Sequence, residues 1–292
     1  AEGAETLASA LVITRGAKIN AVGTATQPII FTSILDNIQI GQTAGTNLTR
    51  TDNEKWGGLA ILGYAPISAQ SGDTETNLEG IPAGESFGLY GGTNASDDSG
   101  DLAYVSIRHG GISIGEGNEL NGLTLGGVGS ATSISNIEIY ATLDDGIECF
   151  GGTVSISNAL VYFQGDDGID LDMNYSGTIN NFIVIHGDGI GTDKGLEIDG
   201  PEGSTYTTGK FTLSNGLVKS VGTTDGLPGD FKDKAQGNIT NVTFDYSSVG
   251  GNKQIKVRAK YDAANACATQ ADALSRLLAN DLVFTNCTAP AT

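Results

Sequence analysis

Residues 144–193 read DDGIECFGGTVSISNALVYFQGDDGIDLDMNYSGTINNFIVIHGDGIGTD. Acidic-glycine turns begin at Asp144, Asp166 and Asp188, in steps of 22 residues. After each turn comes a short alternating strand, as in Ile147-Glu148-Cys149-Phe150, then a glycine-rich turn. A second strand follows and passes through Ser/Thr-Ile-x-Asn, at Asn136, Asn158 and Asn181. The segments FTLSNGLVKS and GNITNVTFDYSS repeat the signature at Asn215 and Asn241 after insertions. A fixed period of this length with two or three short strands is one turn of a parallel β-solenoid, with successive coils about 4.8 Å apart. Equivalent residues then stack, with Ile134, Ile156 and Ile179 in one apolar ladder and Ile147 and Ile169 in another. Asparagine at a coil corner can hydrogen-bond the backbone of the next coil, so Asn136, Asn158 and Asn181 are expected to form a structural ladder. An antiparallel sandwich is the competing architecture, but it gives no reason for identical turn chemistry at one period.

Composition agrees with an all-β chain. The 292 residues include 43 glycines and only 6 prolines, and charged residues make up 17%. Such a chain needs many turns with positive φ and has little helix-forming charge. The formal net charge is −19, from 34 acidic and 15 basic residues. Nucleic acid is excluded as a partner, because phosphate binding needs a basic footprint. No window approaches the roughly 18 apolar residues of a membrane helix. The opening AEGAET lacks Met and an apolar segment and reads as a processed or excised chain.

The domain reading is a single unit over 1–292. Residues 1–110 form irregular N-terminal coils with loops at 36–55 and 69–85, residues 111–250 form regular coils, and residues 251–292 form a cap. Trp56 in WGGLAILGYAPIS is expected against a glycine-lined turn. AANACATQADALSRLLAND is the one convincing helix, with Ala271, Ala273, Leu274, Leu277 and Leu278 on one side, and it is placed as a cover for the open C-terminal end. Among the three cysteines, Cys267 and Cys287 are expected to pair if the protein is secreted, for about 3 kcal/mol. Cys149 reads as an inert core thiol.

Stacking places Asp144 and Asp145 beside Asp166 and Asp167, with Asp188 beyond. Carboxylates that close repel unless a cation or donor groups compensate them. Oxygen-rich, glycine-containing turns suit Ca²⁺ better than Mg²⁺. Asp144, Asp145, Asp166, Asp167 and Asp188 are therefore candidate Ca²⁺ ligands, with Asp170, Asp172, Asp193, Glu197 and Asp199 enlarging the acidic surface. The plainer reading is turn-forming Asp whose side chains cap backbone N–H groups. His109 and His186 are the only histidines and lie far apart in sequence, so zinc is disfavoured.

LDDGIECF, GDDGIDL and HGDGIG also resemble the carboxylate and histidine turns of polygalacturonase-like glycosidases. That resemblance implies Asp145, Asp166, Asp167 and His186 as a catalytic set. It departs from the family in the histidine turn, where Asp188 stands at the histidine's usual place, two residues before Ile190. The basic subsite motif is represented only by IKVRAKY, with Arg258 and Lys260.

A wider likeness runs through LVITRGAKINAVGTATQPIIFTS, WGGLAILGYAPIS, LYGGTNASDDSGDLAYVSIRHGG, NELNGLTLGGVGSAT, DDGIECFGGTV, GDDGIDLD and LEIDGPEG. These motifs, over about residues 11–203, resemble a family of bacterial secreted proteins or surface lipoproteins common in Bacteroidetes and other Gram-negative bacteria. The resemblance implies a right-handed parallel β-helix of pectin-lyase-like architecture, placed extracellularly or on the outer cell surface. Members carry a further strand-forming segment before LVITRGAKI, so the first coil here is expected to be incomplete. An open coil edge invites self-association, and head-to-tail stacking would grow a filament. The functional expectation is a non-enzymatic structural or adhesive component, Ca²⁺-stabilised, that meets glycan or cell-surface partners. The alternative is a polysaccharide-degrading glycoside hydrolase.

Overall fold

The computed structural model describes residues 9–70, 72–82, 84–115, 118–187, 193–203, 206–222, 226–248, 253–259 and 272–288. The chain alternates between two parallel sheets that run the length of the molecule. One sheet has eight short strands, from Leu11–Ile13 through Ile147–Phe150 and Ile169–Asp172 to Lys256–Val257. The other has nine strands, most of them long, including Gly100–Arg108, Ser133–Tyr140, Ser155–Tyr162 and Thr178–Gly187. Each passage through both sheets is one rung of an all-β parallel β-helix, and the antiparallel sandwich is ruled out.

Each long strand is two strands joined at a bend. The separate strands Ile19–Val22 and Ile29–Phe31 pair with Gly100–Ala103 and Val105–Ile107, the two halves of one long strand. Tyr104, between those halves, has φ 53°. On later rungs the bend residue is Asn136, Asn158, Asn181, Asn215, Asn241 or Asn286, all with φ between 53° and 59°. Asparagine tolerates this left-handed region better than other non-glycine residues. Each rung thus has three faces around one core.

The predicted ladders are present. Ile134, Ile156 and Ile179 are register partners and continue through Leu213, Ile239 and Phe284. Ile147 pairs with Leu123 on one side and Ile169 on the other. These side chains share one continuous core with Cys149, whose thiol pKa is pushed up by burial.

The asparagine ladder needs one correction: its amides bond mainly to one another rather than to backbone. Asn158 Nδ2 donates to Asn136 Oδ1 at 3.0 Å and Asn181 Nδ2 to Asn158 Oδ1 at 2.6 Å. Asn241 and Asn286 continue the row at 3.1 and 2.7 Å, while Asn215 turns to Asn180 at 2.8 Å. Two effects can be separated at Asn158. Asn158→Gly removes the amide links but keeps a residue at ease in the left-handed region, whereas Asn158→Ala removes the same links and loses asparagine's tolerance of that region. Alanine is expected to cost about 1–2 kcal/mol more than glycine in urea unfolding; equal losses would refute the backbone argument.

The loop over 36–55 folds back on the end of Gly100–Arg108. Arg108 Nη1 donates to the Thr43 carbonyl at 2.8 Å, and Trp56, 3% exposed, donates Nε1–H to the Arg108 carbonyl at 2.7 Å. The second expected loop is more ordered than its sequence implies. It contains Glu75–Asn77, which pairs antiparallel with Leu89–Gly91. The helix is shorter than expected, spanning Ala273–Leu278 with Asp272 Oδ1 accepting the Ser275 N–H at 2.6 Å. Ala273 and Leu277 pack on the core and Leu278 is exposed; Ala271 lies outside the described residues. The expected Cys267–Cys287 bridge is also corrected. Cys287 is a free, half-buried thiol in the last rung, with Sγ 3.4 Å from the Ile239 carbonyl, and Cys267 lies outside the described residues. No helix among the described residues is long and apolar enough to cross a membrane.

Candidate functional site

In a strand alternate residues face opposite ways. Because Ile147, Cys149, Ile169 and Leu171 point into the core, Glu148, Asp170 and Asp172 point outward from the short-strand sheet. Their register partners extend the row: Thr124, Glu148, Asp170, Glu197, Asp230 and Lys256 are successive neighbours. Rungs of a parallel sheet stand close enough for these carboxylates to feel one another directly. The loops that leave the shaft cover part of this face. Leu62, Ile67, Leu78, Tyr90 and Phe150 form a second apolar cluster on its outer side. Asp170 and Glu197 are each 8% exposed and Asp230 is fully buried.

The corner that leads into this sheet explains the Asp-Asp-Gly turns. A Cβ at Gly146 or Gly168 would overlap Val161 or Val184 of the long-strand sheet, so only glycine lets the corner close. The residue before each glycine joins the rungs. Asn121 Oδ1 accepts the Asp145 N–H at 3.2 Å, Asp145 Oδ1 accepts the Asp167 N–H at 2.8 Å, and Asp167 Oδ1 accepts the Lys194 N–H at 2.6 Å. Asp145 and Asp167 are 6% and 2% exposed. Asp193 and Lys194, rather than Asp188, stack on Asp166 and Asp167; Asp188 lies outside the described residues.

Charge compensation is uneven along the row. Lys194 Nζ reaches Asp193, Glu197 at 3.2 Å and Asp167 at 3.9 Å. Lys232 pairs with Glu197 at 2.6 Å and with Asp199 at 3.4 Å, and Arg258 holds Asp230 through Nε at 2.8 and 2.9 Å. Asp145, Glu148 and Asp170 have no ion-pair partner among the described residues. Each brings one carboxylate oxygen within 4.8 Å of the other two. The Asn121 amide donates to Glu148, while Asp170 Oδ1 has no hydrogen-bond partner.

Burial, then like charge, pushes the pKa values of all three carboxyls well up. Asp144 is raised to about 7 by burial and by Asp166. Asp167 and Glu197 act as a pair. Burial and its hydrogen bond to Glu197 push Asp167 up, and Glu197 is held low by that bond and by Lys232 and Lys194. The pair is thus biased so that Asp167 is the more readily protonated of the two and Glu197 the more readily ionised.

An open cleft of about 880 Å³ adjoins the row, lined by Tyr90, Phe150, Met173, Glu79, Asp172, Asp199 and Glu202 among others. Burial and neighbouring carboxylates raise Asp172 to about 7 and Asp199 to about 8.

The structure brings Asp144, Asp145 and Asp166 together, and separately Asp166, Asp167 and Asp193. It does not bring His186 to them. That ring is fully buried at the end of Thr178–Gly187, edge-on to Tyr246 at 5.2 Å, with its pKa lowered to about 4 by burial. Arg258 serves Asp230, and Lys260 lies outside the described residues. Sequence reading passed over Asn121 as the first member of the corner ladder and Glu148 as part of the uncompensated group. Strand parity in Ile-Glu-Cys-Phe marks Glu148 as outward, and Asn121-Gly122 has the same place before its strand as Asp145-Gly146.

The family described as a pectate-lyase-like beta helix domain matches residues 1–289, and the chain belongs to it. No curated protein and no solved structure matches.

Proposed function

We propose that this pectate-lyase-like β-helix is a passive, non-enzymatic structural or adhesive protein of the cell exterior, stabilised by Ca²⁺ on its carboxylate face. The observation behind this reading is the corner ladder. Asp145 and Asp167, two of the carboxyls that a glycosidase would need free, accept backbone N–H groups from the next rung. The calcium site is best placed at Asp145, Glu148 and Asp170. In that all-oxygen set Asp145 and Asp170 are buried and Glu148 half-buried; it has no ion-pair partner among the described residues and contains an oxygen without a hydrogen-bond partner. Head-to-tail assembly is part of the same proposal. Among the described residues, Leu11–Ile13 and Lys256–Val257 are the outermost strands of the short-strand sheet, and a second copy stacked end-on would continue its ladder. Glycan or cell-surface partners would meet the long rigid faces.

One observation favours the polysaccharide-cleaving alternative: Asp172 and Asp199 face an open cleft and titrate near neutrality. Metal analysis of the purified protein, with an assay for new reducing ends on glycans, separates the two readings. Bound calcium and no hydrolysis are expected. Hydrolysis abolished by Asp172→Asn or Asp199→Asn would replace the structural reading with the enzymatic one.

A further inference from the structure

The corner where the long strands end contains three polar side chains that none of the above uses. Gln164 lies two residues past Tyr162, His186 one past Ile185, and Ser220 one past Lys219. Tyr162 and Ile185 are register partners, and so are Ile185 and Lys219, which puts the three on successive rungs. Gln164 is 1% exposed, and His186 and Ser220 are fully buried. Gln164 Nε2 and Oε1, His186 Nδ1 and Nε2, and Ser220 Oγ all lack a hydrogen-bond partner among the described residues. Five such atoms in one corner exceed what a marginally stable fold tolerates, since each unmet group carries its full desolvation penalty.

The three side chains do not satisfy one another: no hydrogen bond joins any of the five atoms to another polar atom among the described residues. Proton uptake by His186 offers no remedy, since it would add a buried charge and a second donor. The neighbouring Tyr246 hydroxyl is already committed to the Leu227 carbonyl at 3.0 Å. A neutral imidazole always presents one N–H and one lone pair, an amide presents both kinds of group, and a hydroxyl presents both. The guest that matches all three is small, uncharged, and both donor and acceptor.

We propose that Gln164, His186 and Ser220 form a built internal site for resident water, sealed in the corner between rungs. His186 then bridges neighbouring coils through solvent and is withdrawn from any acid–base role at the surface. The proposal is independent of the calcium reading and involves none of its residues.

Ser220→Ala tests it by the sign of its effect. If the hydroxyl anchors water, the variant's unfolding constant should rise roughly fivefold, the worth of one net hydrogen bond. If the hydroxyl is an idle orphan, its removal should leave stability unchanged or raise it, and the proposal fails. A high-resolution crystal structure of the unsubstituted protein gives a second readout. Ordered solvent within hydrogen-bonding distance of a His186 ring nitrogen and of Ser220 Oγ or Gln164 is expected. Direct contacts among the three side chains, with no solvent between them, would overturn the proposal even if Ser220→Ala were destabilising.

Discussion

With chelator present, raising the pH from 6.5 to 8 should lower the melting temperature, and added calcium should largely abolish that loss. Asp144 and Asp172 titrate at about 7 and Asp199 at about 8, against an ordinary value of 3.8. A carboxyl whose folded pKa is raised binds its proton more tightly in the native state. Its contribution is complete below the unfolded pKa and is lost as pH rises through the folded one. Each group that must release its proton contributes a slope approaching 1.4 kcal/mol per pH unit, reduced where solvent reaches it. His186 has the opposite sign: its stability is present above 6.5 and lost as pH falls towards about 4. Starting at 6.5 leaves only the tail of that opposing effect, about 0.4 kcal/mol. A divalent ion bound at Asp145, Glu148 and Asp170 replaces protons as the compensating charge and flattens the profile. Melting curves at several pH values, with calcium or with chelator, check this. A flat profile in chelator would mean that the carboxylate row is solvated and unstrained.

Asp167→Ala should lower the unfolding free energy by about 2–3 kcal/mol, and Asp167→Asn should leave it near the starting value. Alanine orphans the Lys194 N–H, which Asp167 Oδ1 accepts at 2.6 Å, and removes the proton donor to Glu197. Asparagine has the shape of the protonated acid. Its Oδ1 can take the Lys194 N–H and its amide can donate to Glu197. Urea unfolding of both variants decides the matter. Equal losses would show that a negative charge, rather than a hydrogen-bonded shape, is required there. Alanine tolerated as well as asparagine would show that the corner ladder contributes little.

The shaft was legible because its period is written in residues with single-valued roles. Ile134, Ile156 and Ile179 must point inward, Gly146 and Gly168 must sit where the rungs close, and asparagine favours the bend. The acidic site was legible only in part. The 22-residue ruler gives the step from Asp145 to Asp167 correctly, but the next rung is longer and places Lys194 on Asp167. Insertions reset the count, and only backbone register shows where it resumes. The ruler therefore drew attention to Asp188 and away from Lys194, whose charge decides which end of the row is compensated. Glu148 and Asp170 matter because one is half-buried and the other buried beside the cluster around Tyr90 and Phe150, and Tyr90 comes from a distant segment with no periodic signal. Cys267 and Cys287 were paired on proximity in sequence, a weak guide where neighbours in space belong to different rungs.

The bend asparagines have a mechanical consequence. Each amide reaches only the adjoining coil, so they form a line of short, serial links parallel to the long axis. A chain tethered at its two ends and stretched along that axis would load these links and the strand pairings one coil at a time. It would lengthen by peeling, at modest force, with no single rupture of the whole body. Crosswise, the same coils would resist together as a stiff rod, which suits a spacer that holds its reach yet yields gradually under tension.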